Sequence, residues 1–151
     1  MPTTCSDRER KRETLKMTSA PSLRMSVELP FAPVDSIIRR NAGNLRVSSE
    51  ATATLTQRIQ ERGAALAVDA AERATADGRK TLMPPDFGVE SVPDPESLEL
   101  PIAPVDRIAR LDIEDYRVAM DARVALASLL EDEADTVAEA AAVLAHHAGR
   151  R

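Results

Sequence analysis

Glu28-Leu29-Pro30-Phe31-Ala32-Pro33-Val34-Asp35 returns in the same chain as Glu99-Leu100-Pro101-Ile102-Ala103-Pro104-Val105-Asp106, 71 residues later. The register holds without a gap at Ile37 and Ile108, Arg39 and Arg110, and Arg46-Val47 and Arg117-Val118. It still holds at Leu55 and Leu126 and at Gly78-Arg79 and Gly149-Arg150. Self-similarity kept in one register marks two copies of one structural unit.

Each copy predicts a short helix, a loop and a long helix. The short helices are expected over 34–41 and 105–111, with Pro33 and Pro104 in the first turn, where a missing N–H costs little. Loops follow over 42–47 and 112–118. Ser48 is a good N-cap for the first long helix. Ala119 is a poorer one, partly offset by Asp121 in the first turn. Leu55, Ile59, Leu66 and Ala70 recur on one helical face, as do Leu126, Leu130, Val137 and Ala141. The first long helix, from Ser48 to Asp77, would run about 45 Å. A helix of that length has no core of its own and must bury its stripe against a partner. Gly78 and Gly149 fit the left-handed residue that ends such a helix.

The first copy continues with Thr81-Leu82-Met83-Pro84-Pro85-Asp86-Phe87. Its prolines can open a third, short helix, with Asp86 near the positive end. The second copy stops at Arg151 and has no such segment. The units are therefore 25–92 and 98–151, joined by a rigid, polar linker over 93–97. Residues 1–24 show no apolar periodicity and read as a disordered extension, of the kind an upstream start codon would add. The end at Arg151 reads as a C-terminal truncation.

Composition narrows the class. Hydrophobic residues make up 43% of the 151 and aromatics 2%. A core of Ala, Leu, Val and Ile suits an all-α protein. The single cysteine, Cys5, excludes an in-chain disulfide and a cysteine-rich zinc site. No apolar run approaches the roughly 18 residues of a membrane span. The polar N-terminus lacks the apolar core of a signal peptide. The chain is accordingly expected to be soluble and cytoplasmic. Its net charge of −5 is unevenly spread: residues 1–24 carry +3 and residues 98–151 carry −5. Arginine supplies nearly all the positive charge, lysine occurring only at Lys11, Lys16 and Lys80.

No constellation supports a reaction, a cofactor or a small-molecule substrate, so the chain is not read as an enzyme. His146 and His147 are adjacent on a helix and point about 100° apart, so they do not share one metal ion. Cys5 has no paired base. The acidic run Glu131-Asp132-Glu133 with Asp135 reads as a solvated helix face.

The layout of short, long and short helices, the words Glu28–Pro33, Gly43 through Arg46-Val47-Ser48 and Gly78-Arg79-Lys80-Thr81, and their echoes at Glu99–Pro104 and Ala145–Arg151 together resemble archaeal histones. Two fused, acidic, lysine-poor copies resemble the histone doublets of halophilic archaea. The resemblance covers residues 27–151. It implies two tandem histone folds clasped in an intramolecular handshake, the second lacking its third helix. It also implies association with the chromosome, in a nucleoid, through double-stranded DNA. Such proteins wrap duplex DNA through phosphate contacts and minor-groove arginines, without base readout.

The resemblance assigns Arg46 and Arg117 to the minor groove and Arg79, Lys80 and Thr81 to the second-loop DNA contacts. Arg150 and Arg151 match part of that loop, and Arg107 matches a DNA-contacting arginine of the first helix, where the first copy has Ser36. It further implies head-to-tail contact between molecules on DNA, with His147 of one meeting Asp86 of the next. Net acidity does not exclude this chemistry, since in molar salt charge acts over only about 3 Å. The alternative is a histone-fold interaction or regulatory module with weak or no DNA wrapping.

Overall fold

The computed structural model describes residues 28–151, so the extension 1–24 and Cys5 lie outside the described residues. Four helices dominate among the described residues: α1 (Phe31–Ala42), α2 (Ser49–Ala76), α3 (Ile102–Ala109) and α4 (Met120–His147). Two short strands, β1 (Thr81–Leu82) and β2 (Arg117–Val118), and two single 3-10 turns, Pro84–Phe87 and Pro95–Ser97, complete the order.

Local chemistry accounts for the boundaries. Both short helices begin three residues earlier than expected, at Phe31 and Ile102, behind Pro30 and Pro101 as N-caps. The first-turn N–H groups of a helix have no partner inside it, so Pro33 and Pro104 sit within that turn without losing a bond. The Ser48 hydroxyl accepts the Ala51 N–H at 3.1 Å, capping α2. Ala119 makes no side-chain cap. Its N–H instead donates to the Leu82 carbonyl at 3.1 Å, so the strand pair fixes the start of α4. Gly78 and Gly149 end the long helices at φ 72° and 66°. Arg79 N–H reaches back to the Ala74 carbonyl at 2.8 Å, and Arg150 N–H to that of Ala145 at 2.9 Å. That pattern is the left-handed helix stop, met twice.

The copies pack crosswise. The first copy's α1 lies on the second copy's α4, and the second copy's α3 lies on α2. The long helices α2 and α4 cross between them. Strand β1 runs parallel to β2, Thr81 beside Arg117 and Leu82 beside Val118. This is the handshake of two histone folds, closed within one chain.

Val34, Ile37, Val105, Ile108, Leu126 and Leu130 are fully buried at the crossing. Each contributes about 1.5–3 kcal/mol relative to an exposed position. At Gly63 the helices approach so closely that an added Cβ would lie 3.0 Å from both Ile108 and Leu130 side chains.

The structure refines three expectations. The third helix of the first copy is one 3-10 turn, Pro84–Phe87, stopped by Gly88 at φ 76°. The linker carries a turn of its own, with Asp94 accepting the Glu96 N–H at 3.1 Å. The α4 stripe is buried only in part. Leu126 and Leu130 are buried, but Val137 is 47% exposed and Ala141 lies open. Over the matching face of α2, Leu82 and Phe87 are packed into the core. Val143 and Leu144, at 51% and 69%, are also exposed.

Candidate nucleic-acid interface

The β1–β2 pair gathers residues from both copies at one end of the molecule. Arg117 N–H donates to the Lys80 carbonyl at 2.9 Å. Thr81 stands beside Arg117 in register, and the Arg117 side chain faces solvent. Arg123 supports the patch from below. Its Nε donates to the Val118 carbonyl at 3.3 Å and sits 3.1 Å from Asp106. The Tyr116 and Thr75 hydroxyls bond each other at 2.6 Å across the same end. Neither Arg123 nor Tyr116 stands out in the sequence. The signal for Arg123 is the break in the repeat, where the first copy has Thr52.

Arg79 belongs to this end but is largely committed inward. Its guanidinium donates to both carboxylate oxygens of Asp86, at 3.0 and 2.8 Å, to the Thr81 carbonyl at 3.0 Å and to Asp77 at 3.0 Å. Asp86 is 3% exposed and also accepts the Met83 N–H at 2.8 Å. The Arg79 bonds hold its carboxyl below the usual carboxylate range, against the opposing effect of burial. The Arg73 guanidinium donates to the Asp86 carbonyl at 2.6 Å. Asp86 is thus the hub that shapes the loop carrying Lys80 and Thr81.

The other end is built from the loop after α1 and the residues after α4. Arg150 and Arg151 border one shallow opening with Asn44, Leu45 and His146. Arg46, two residues on from Asn44, is exposed. Among the described residues neither Arg46 nor Arg117 is tied to a carboxylate. His147 is exposed at the last turn of α4. It and Asp86 therefore lie at opposite ends of the molecule.

Between the ends, Arg107 on α3 sits 3.3 Å from Glu28, just ahead of α1. Neither α1 nor α3 has a side-chain cap or an acidic residue in its first turn. Such helix starts offer N–H groups and a positive dipole end to anions. The expected DNA-contacting residues thus fall into three groups: Arg79, Lys80, Thr81 and Arg117; Arg107; and Arg46, Arg150 and Arg151. Among the described residues no group of histidines, cysteines and carboxylates is arranged to hold a metal. No described helix is long and apolar enough to cross a membrane.

Comparison with known proteins agrees with this architecture. The family of histone-like transcription factors (CBF/NF-Y) and archaeal histones matches twice, over residues 27–88 and 98–151. The archaeal histone HAN1 of Thermococcus zilligii is 49% identical over 53 residues, covering 35% of this chain and 78% of that protein. The crystal structure of the histone from Methanopyrus kandleri superposes with a TM-score of 0.64 at 27% identity, covering 81% of this chain and 85% of that one. With both copies matched, the chain belongs to the family of histone-like transcription factors (CBF/NF-Y) and archaeal histones.

Proposed function

We propose that this protein binds double-stranded DNA without reading base sequence and compacts it as an archaeal chromatin protein. The observation that carries this reading is the parallel pairing of β1 with β2, which sets exposed Arg117 beside Lys80 and Thr81. Arg46 occupies the matching place in the other copy, so two arginine sites flank the helix crossing. Arginines entering a narrowed minor groove respond to groove shape and DNA deformability rather than base identity. Lys80, Thr81, Arg107, Arg150, Arg151 and the uncapped starts of α1 and α3 serve phosphates. The protein acts at the chromosome and carries out no reaction.

Association between molecules on DNA runs head to tail, because His147 and Asp86 stand at opposite ends. A contact between unlike surfaces propagates rather than closes. Since Asp86 is 3% exposed and already bonded to Arg79 and Met83, a neighbour's His147 reaches it only at the cost of those bonds, and this contact is weak. Sedimentation with and without long duplex checks it: the account expects monomers alone and arrays only with DNA.

Titration of two unrelated duplexes tests the binding. Arg46→Ala/Arg117→Ala should weaken both equally. Each lost phosphate contact elsewhere should flatten the slope of log K against log salt by about 1. A strong preference for one duplex sinks the reading. The net charge of −5 and the commitment of Arg79 to Asp86 and Asp77 favour a second reading, a histone-fold interaction module with little DNA wrapping. Unchanged affinity in the double variant would select it.

A further inference from the structure

Residues 71 apart are equivalents in the two copies, so a contact between such a pair lies on the pseudo-twofold axis. Arg62 and Glu133 are one such pair, and Arg62 Nε donates to Glu133 Oε2 at 3.0 Å. If two first copies clasped each other, Arg62 would face Arg62. If two second copies did, Glu133 would face Glu133. The axis is therefore charged with opposite signs, and only the unlike pair satisfies it.

A second site repeats the asymmetry away from the axis. Arg40 on α1 donates to Glu131 at 3.0 Å and grips Asp135, while Asn41 donates to Asp135 at 2.6 Å. Bonding to Arg40 holds the Asp135 carboxyl below its ordinary range. The equivalents of Arg40, Glu131 and Asp135 across the axis are Leu111, Gln60 and Ala64, an uncharged set, and Asn41 is replaced by Asp112. Gln60 and Glu131 share one duty, accepting the backbone N–H of Glu28 and of Glu99, each at 2.8 Å. They differ in charge where the facing residue differs, Leu111 in one case and Arg40 in the other. Clasped first copies would set Arg40 against Ala64. Clasped second copies would set Leu111 against Glu131 and bring Asp112 to Asp135.

We propose that the Arg62–Glu133 pair on the axis and the Arg40, Asn41, Glu131, Asp135 cluster make this clasp selective for unlike partners. The first copy takes a histone fold bearing carboxylates at the places of Glu131, Glu133 and Asp135, and rejects a second first copy. Like charges set against each other discriminate against the wrong partner as effectively as attraction selects the right one. Two molecules therefore do not scramble into like-with-like pairs, and each chain remains one closed unit.

The test starts from the folded full chain, with a protease site in the linker that is cut only after folding. Isotopically light and heavy nicked proteins are mixed in mild urea, returned to buffer and read by native mass spectrometry. Unlike pairs should exceed like pairs by about fivefold at low salt, the upper end for an exposed ion pair, and the margin should shrink in 1 M salt. A second copy carrying Leu111→Arg, Asp112→Asn, Glu131→Gln, Glu133→Arg and Asp135→Ala, the first copy's residues, should lose the wild-type first copy. It should instead pair with the wild-type second copy, where Arg meets Glu133. A statistical mixture in the wild type, or an unmoved preference in the variant, overturns the proposal. A cycle in the uncut chain keeps the question open to refutation if nicked copies fail to re-pair. Arg62→Glu and Glu133→Arg should each lower the urea midpoint, and the double reversal should restore it. Additive losses in the double variant also overturn the proposal.

Discussion

Replacing Asp86 by alanine removes more than one side chain's contacts. Its carboxylate accepts two bonds from Arg79 and one from the Met83 N–H, in a position 3% exposed to solvent. Hydrogen bonds to charged groups are worth about 1.5–3 kcal/mol each. Arg79 remains a third exposed, so its charge recovers hydration when Asp86 is gone, and the full sum is not lost. The expected cost of Asp86→Ala is about 2–3 kcal/mol. Arg79→Ala costs at least as much, because it strands a carboxylate that is nearly buried. Asp86→Asn keeps the Met83 bond and costs less than either. The double alanine variant should lose less than the two single losses added, by about 1–2 kcal/mol. Urea unfolding at pH 7 and fixed salt measures all four. Additive losses, or a loss under about 0.5 kcal/mol for Asp86→Ala, at the low edge of single hydrogen-bond values, would refute the hub.

Gly63→Leu should destabilise the fold by at least about 2 kcal/mol by overpacking, since even a Cβ would meet Ile108 and Leu130 at 3.0 Å; thermal unfolding that matches the wild type would show that the crossing can open. Asp35, Asp86 and Asp135 are held below their ordinary range chiefly by hydrogen bonds from Arg39, Arg79 and Arg40. With folded values below the unfolded value of about 3.9, the unfolded chain binds more protons in that window, so stability rises with pH. Their contribution is present in full above the unfolded value and is lost as pH falls through the folded values. An acid titration of the urea midpoint should fall below about pH 4 and fall less steeply in Asp135→Asn. Appending a segment like Thr81–Val92 after Arg151 should seat on Leu55, Val137 and Ala141, which line an open groove. The melting temperature should rise, by the equivalent of about 3 kcal/mol for one or two buried aliphatic side chains; an unchanged value would mean that the groove does not accept the segment.

Much of the fold is legible because the repeat states it twice. The 71-residue register, the serine cap at Ser48 and the glycine stops at Gly78 and Gly149 are local signals, and each lies where its residue type requires. The third segment is legible as a short helix; its 3-10 form, one turn stopped by Gly88, is not. The partner of each helix was not legible residue by residue. Arg40, Glu131 and Asp135 look like unrelated surface charges until α1 is laid on α4. The part Asp86 plays in its own loop was hidden for the same reason: a carboxylate seven residues from an arginine is not a helical pair, and only the turn between them brings the groups together. Arg46, Arg117, Lys80 and Thr81 stand out in the sequence through resemblance, and pairing of the strands brings the last three side by side.

Shortening of a long tethered duplex under low tension tests the central claim most directly. The wild-type protein should shorten DNA of unrelated sequences to the same extent, added salt should reverse the effect, and Arg46→Ala/Arg117→Ala should remove most of it. Binding without shortening, or shortening confined to one sequence, would contradict it.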